Sequence, residues 1–128
     1  MAEKLTLLER VKVEGNALRG TIVESLNDEL TGSMREEDTL IMKFHGMYQQ
    51  DDRDRREERA QKKLERLYSF MIRLRMPGGI LTSEQWIALN NIAGKDSTDE
   101  LKITTRQTIQ LHGVLKSRLK PTHRTFNS

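Results

Sequence analysis

Every second position from residue 102 to residue 112 carries a hydrogen-bonding side chain: Lys102, Thr104, Arg106, Thr108, Gln110 and His112. The positions between them include Leu101, Ile103, Ile109 and Leu111. Side chains of an extended strand alternate between its faces. Residues 100–113 therefore read as a strand with one apolar face and one face of cations, hydroxyls, an amide and an imidazole. From Lys102 to His112 no carboxylate interrupts that face. Such a surface suits an anionic ligand rich in oxygen acceptors, because ionised donors make short, strong bonds to oxyanions. A strand whose polar side merely meets solvent would alternate in the same way, but would usually mix acids with the bases.

A second segment repeats the pattern. In residues 70–76, Phe70, Ile72, Leu74 and Met76 share a face, and Arg73 and Arg75 project from the other together with Met71. Pro77-Gly78-Gly79 then ends the strand, since proline lacks a ladder donor and glycine admits turn dihedrals. If the two strands pair, Arg73, Arg75, Lys102 and Arg106 converge on one wall.

The elements needed to hold that wall can be read from the rest of the chain. Its 128 residues suffice for one domain with a modest core, although 35% hydrophobic and 32% charged residues leave part of it poorly able to pack alone. Residues 5–30 read as a helix, whole or broken, with Leu8, Val11, Gly15, Leu18, Ile22 and Leu26 at steps of three and four. Thr31-Gly32-Ser33 closes it as a turn. Residues 39–48 form an apolar run, interrupted by Gly46, too short to assign to strand or helix.

Residues 51–66 carry 13 charges in 16 positions, with acid-before-base pairs Asp51–Arg55, Asp52–Arg56 and Glu58–Lys62. This run reads as an exposed helix or solvated arm, or alternatively as a docking surface. Residues 69–77 are the first strand. Residues 82–93 are a helix, with a Thr82/Gln85 capping box and an apolar stripe of Trp86, Leu89 and Ile92/Ala93. Gly94 to Asp99 form a loop back to residues 100–113, which are one strand or two with a kink near Gln107. Residues 114–128 look like a loop entering a helix, with Pro121 near its start. The order β-α-β fits half of an α+β sandwich whose helix covers the apolar face.

Charge is unevenly spread. Basic and acidic residues number six and nine in 1–50, seven and six in 51–66, and nine and four in 67–128. The basic excess lies with the two donor faces, which favours a local anionic ligand. The chain has no cysteine, so it offers neither disulfides nor thiolate ligands. His45, His112 and His123 lack zinc-type spacing, and no metal ligands are expected. The sequence pI of about 9.3 raises nucleic acid as a ligand. Aromatics are only 5%, however, and the donor strands carry no exposed stacking residue, so no nucleic-acid binding is expected. No apolar run approaches a membrane span and no signal-peptide core is visible, so the expected location is cytoplasmic.

Three stretches carry a family resemblance: KFHGMYQQDDRDRREERAQKKLER, FMIRLRMPGGILTSEQW, and LKITTRQTIQLHGVLKSRLKPTHRTFNS. With the opening ERVKVEGNALRGTIVESLND, they resemble the N-terminal portion of the hemoprotein (beta) subunits of bacterial NADPH-dependent assimilatory sulfite reductases, from about Glu9 to Ser128. The resemblance implies an α+β fold: a helical, charged N-terminal arm over 1–66, then an incomplete nitrite/sulfite reductase ferredoxin-like half-domain over 67–128. It implies the six-electron reduction of sulfite to sulfide in sulfate assimilation, with siroheme and a 4Fe–4S cluster in the complete subunit. It also implies sulfite as substrate and a flavoprotein (alpha) subunit as partner. Siroheme is rich in carboxylates, which matches the ligand the strand pattern asks for.

Carried over by position, Arg73 is implied to face the distal side of the siroheme and to bind sulfite. Thr104, Thr105, Arg106, Gln110 and His112 match cofactor-contacting positions, and Arg75, Lys102 and Thr108 join them on the donor faces. Thr105 breaks the alternation and needs a kink, or contact through its backbone. The family's cluster cysteines are absent, so the chain reads as a fragment whose cluster ligands lie elsewhere. The long charged segment favours the NADPH type over ferredoxin-dependent sulfite or nitrite reductases. A non-catalytic remnant that binds a partner is the other alternative. The arm over 1–66 is expected to order on docking to the flavoprotein.

Overall fold

A four-stranded antiparallel sheet in the order β1-β2-β4-β3 organises the chain in a computed structural model, which describes residues 4–128. The strands are β1 (Met47–Asp51), β2 (Tyr68–Arg73), β3 (Lys102–Ile103) and β4 (Ile109–Val114). The helices are α1 (Leu7–Glu14), α2 (Ile22–Asn27), α3 (Glu36–Met42), α4 (Arg56–Gln61), α5 (Ser83–Asp96) and α6 (Lys116–Phe126). No helix among the described residues is long and apolar enough to cross a membrane.

The core lies on one face of the sheet. Phe70, Ile72, Leu111 and Val114 meet Ile92 and Ala93 of α5, Leu119 of α6, and Met34 and Met42 from the N-terminal segment. The expected helix on the apolar face is α5, started by the Thr82/Gln85 capping box. Leu89, Ile92, Ala93 and Asp96 are its buried stripe, at helical spacing. Trp86, expected in that stripe, is 46% exposed. Arg118 of α6 donates to the buried Asp96 carboxylate through Nε at 2.8 Å, and the Thr122 hydroxyl donates to it at 3.1 Å. These bonds fix α6 against α5 with both partners of the buried charge satisfied.

Several expectations are narrowed or corrected. Residues 5–30, read as a helix either whole or broken, take the broken form: two helices parted by left-handed backbone at Asn16, Ala17, Leu18 and Gly20. The buried Asp38 carboxylate closes the gap by accepting from the Thr21 backbone N–H at 2.9 Å and the Thr21 hydroxyl at 2.7 Å. The ambiguous run over 39–48 is both helix and strand, switching at the left-handed Gly46. In the charged run only Glu58–Lys62 forms as expected, at 2.6 Å, and Asp51 pairs with Arg56 instead of Arg55. The first strand stops at Arg73. Helix α5 runs through Gly94 to Asp96. Pro121 lies in the interior of α6, where the Ser117 carbonyl it leaves unpaired belongs to an exposed residue.

The expected boundary between residues 66 and 67 falls inside the sheet. β1 pairs with β2 along its whole length, from Met47 opposite Ile72 to Asp51 opposite Tyr68. Met34 and Met42 belong to the core, and the Met34 backbone N–H donates to Gln49 of β1 at 2.7 Å. In this structure the segment over 1–66 is therefore not a separate arm.

Candidate functional site

The donor faces meet as a row across the sheet. Arg73 of β2 stands opposite Gln110 of β4, and Gln110 stands opposite Lys102 of β3. Directly opposed residues in an antiparallel pair point to the same side. All three therefore leave the sheet on the face away from the apolar core, beside His112.

Of the two readings of residues 100–113, one strand or two with a kink near Gln107, the structure has two, and the break is a full reversal into a hairpin. Lys102–Ile103 folds back on Ile109–Val114 through a turn in which the Thr104 N–H donates to the Thr108 carbonyl at 3.0 Å and Gln107 has φ +57°. Ile103, expected on the apolar face, is 75% exposed, because β3 is a two-residue edge strand with nothing over it. The alternation fails again at the far end of β4. Phe70 opposes Val114 but Ile72 opposes Leu111, so β4 carries one extra residue there. The bulge coincides with Gly113 at φ +75°, where a Cβ would stand 2.5 Å from Thr98 Cγ2. It leaves His112 on the donor face and returns Val114 to the core.

The nine expected site residues separate into three groups. Arg73, Gln110, Lys102 and His112 share the open face. The His112 ring meets Gln110 Oε1 through Nε2 at 3.2 Å. Burial, and then the charge of Lys102, pushes His112 below the ordinary imidazole range, so at neutral pH it is an uncharged hydrogen-bonding group. The second group lines a cleft of about 450 Å3 at the end of β2, where Arg73, Arg75, Arg106 and Thr108 meet His45 and Phe44. Three of the four expected cations converge there. Lys102 does not, because it stands beyond Gln110. Arg106 arrives from the hairpin turn and not from a strand face. The third group is Thr104 and Thr105 in that turn; the Thr104 hydroxyl faces the Thr108 carbonyl at 3.4 Å, and Thr105 is exposed. Thr108 itself is buried, and its hydroxyl donates to the Leu74 carbonyl, tying β2 to the hairpin.

Arg73 belongs to both the face and the cleft. Its Nη1 donates to the Tyr48 phenol oxygen at 3.2 Å, and its Nε is buried without a partner among the described residues. A buried N–H left unpaired costs about 1–3 kcal/mol, so the site is poised for an acceptor. Tyr48 went unnoticed in the sequence because its strand has five residues and follows a helical run directly.

Gly46 sets where Arg73 begins. The Arg73 N–H donates to the Gly46 carbonyl at 2.8 Å, and a Cβ on Gly46 would lie 2.9 Å from the Arg73 carbonyl oxygen. Its φ of +74° is left-handed. Replacing Gly46 by alanine is expected to cost about 1–2 kcal/mol in backbone strain alone and to push the end of β2 outward. Urea denaturation reads the first effect. A Gly46→Ala chain as stable as its parent would show that the turn yields freely.

Among the described residues, no three His, Cys, Asp or Glu side chains gather as metal ligands. The arrangement offers cation-rich, directional binding of an anion with many oxygens.

Comparison with known proteins gives a consistent set of relatives. Residues 62–127 match the family described as nitrite/sulfite reductase ferredoxin-like half domain. The whole chain is 65% identical to a sulfite reductase (NADPH) hemoprotein beta-component of Leptospira biflexa serovar Patoc, and covers 23% of that protein. It is 52% identical over 98% of its length to the corresponding component 2 of Pectobacterium carotovorum, and 54% identical over 98% to that of Staphylococcus haemolyticus, covering 22% of each. The chain thus spans about a quarter of the length of these curated relatives.

Proposed function

The chain belongs to the nitrite/sulfite reductase ferredoxin-like half-domain family, and from that membership we propose that it is the N-terminal part of an NADPH-dependent sulfite reductase hemoprotein. In this reading the open sheet face is one wall of a siroheme site in a cytoplasmic enzyme that reduces sulfite to sulfide. The observation that carries the reading is the acid-free row Arg73–Gln110–Lys102 with the unpaired, buried Arg73 Nε beside it. That donor set fits a carboxylate-rich macrocycle.

Siroheme and its 4Fe–4S cluster would supply the metal at which sulfite is reduced and would relay the six electrons, which originate in NADPH and arrive through the flavoprotein. The chain's own residues bind and orient. Lys102, Gln110 and His112 would hold carboxylates of the ring, with Thr104 and Thr105 at its edge and Thr108 keeping the hairpin in register. Arg73, with Arg75 and Arg106 behind it, would hold the sulfite anion and offset the negative charge that builds on it. A guanidinium suits this because its N–H groups form a flat fork that matches an oxyanion in two places.

The partner in this reading is the flavoprotein alpha subunit. Leu5, Leu7, Leu8 and Val13 on and before α1 are all exposed, and they support docking through the first helix rather than through all of residues 1–66.

A chimera tests the proposal. With this chain in place of the matching segment of the Leptospira biflexa protein, the purified hemoprotein is expected to retain siroheme and to reduce sulfite with a reduced viologen dye. The isolated 128-residue chain, which has no cysteine, is expected to reduce neither sulfite nor nitrite. A chimera that folds but lacks siroheme, or holds siroheme and leaves sulfite untouched, overturns the reading.

A further inference from the structure

Arg73 is held from one side, by a side chain outside the cation-lined cleft. Arg73 would have Gly46 as its cross-strand neighbour, and Gly46 has no side chain. The next residue of β1 on that face is Tyr48, which pairs with Met71 and so lies diagonal to Arg73. Its phenol oxygen accepts from Arg73 Nη1 at 3.2 Å, and the guanidinium carbon lies 5.2 Å from the centre of its ring. The ring therefore acts on Arg73 twice, as an acceptor and as a cation–π surface.

A long arginine side chain loses considerable rotamer freedom when fixed, and that cost weakens any anion it must reach for. Tyr48 takes up one of the five N–H donors of the guanidinium. It leaves Nε, the second Nη1 hydrogen and both Nη2 hydrogens for a ligand. We infer that Tyr48 is the positioning residue of Arg73, fixing its guanidinium in the anion-binding orientation before the anion arrives. The inference rests on the reading of Arg73 as an anion-binding residue, and goes beyond it by assigning the preorganisation to one side chain on a different strand.

The phenol and the ring separate by substitution. Tyr48→Phe keeps the ring and removes the acceptor, and Tyr48→Leu removes both. In the chimeric hemoprotein, sulfite affinity measured by equilibrium dialysis is expected to fall roughly three- to tenfold in Tyr48→Phe and further in Tyr48→Leu. In an Arg73→Ala background, Tyr48→Phe is expected to cause no further loss, since a positioning residue has nothing left to position. An equal loss in both backgrounds would mean that Tyr48 touches the ligand or only supports the fold, and would overturn the inference.

A second measurement needs no cofactor. In the isotope-labelled 128-residue chain, the Arg73 Nε–H signal is expected to exchange with solvent faster, and the guanidinium to rotate faster, in Tyr48→Phe than in the parent. Unchanged side-chain dynamics would overturn the inference even if affinity falls. Should Arg73→Ala leave sulfite affinity unchanged, it is the anion-binding role of Arg73 that fails. The side-chain signal then still decides whether Tyr48 holds the guanidinium.

Discussion

Replacing Arg73 by alanine in the chimeric hemoprotein is expected to weaken sulfite binding by about 1.5–3 kcal/mol, roughly ten- to a hundredfold, while Lys102→Ala changes it by less than about 1 kcal/mol. The difference follows from position. Arg73 ends the central strand β2, half-buried, bonded through its backbone to Gly46 and through its side chain to Tyr48. Lys102 is exposed on a two-residue edge strand, where a flexible stem and solvent both dilute a charge. Dialysis with labelled sulfite separates the two variants without turnover. Equal losses would place the anion midway along the row and take the cleft out of the binding site. A large loss of siroheme in Lys102→Ala with sulfite affinity intact would instead agree with a ring-carboxylate contact for that residue.

Local, side-chain-coded features of this fold were legible in the sequence. The Thr82/Gln85 box starts α5 because its bonds lie within one turn, and two residues three apart suffice to specify it. The pairing of the two donor strands could be posed from the sequence only as a condition, and β2 and β4 meet it. What the sequence concealed depends on contacts distant along the chain. β1 is only five residues long, and it follows helix α3 through one tight turn, Lys43–His45, and a left-handed glycine, so no period had room to establish itself. Without β1, Tyr48 had no visible partner and residues 1–66 looked like an arm. The hairpin turn was hidden for a different reason: Thr104-Thr105-Arg106-Gln107 contains no glycine, and its left-handed residue is Gln107. Chain reversal there moved Arg106 off the strand face but still into the cleft. Thr108 kept its alternation and lost its freedom, its hydroxyl bonded to the Leu74 carbonyl.

Lys116 is the residue where sequence and structure differ most in consequence, and its replacement is expected to have the largest effect on stability. In sequence it is one more lysine, in a stretch read as a loop entering a helix near Pro121; as the first residue of α6 its cation is opposed by the helix dipole. In the structure it is buried, and its ammonium donates to the carbonyls of Asp28, Thr31 and Ser33 (the last at 3.3 Å). Those carbonyls belong to the turn between α2 and α3, some eighty residues earlier in the chain. The same turn is held from its other side by Glu65, which accepts from the Gly32 N–H at 2.9 Å and from the Thr31 hydroxyl; these bonds draw its carboxyl below the usual range. Lys116 thus binds the N-terminal segment to the half-domain, its three N–H donors matching three carbonyls. Lys116→Met keeps the stem and removes the ammonium, leaving the carbonyls short of partners, and is expected to destabilise the chain by about 3 kcal/mol. Hydrogen exchange should localise the damage, with faster exchange over residues 22–33 and little change in β2 and β4. A loss below about 0.5 kcal/mol would mean that water serves those carbonyls equally well. The N-terminal segment would then be joined to the rest through β1, the Glu65 bonds and the core packing of Met34 and Met42.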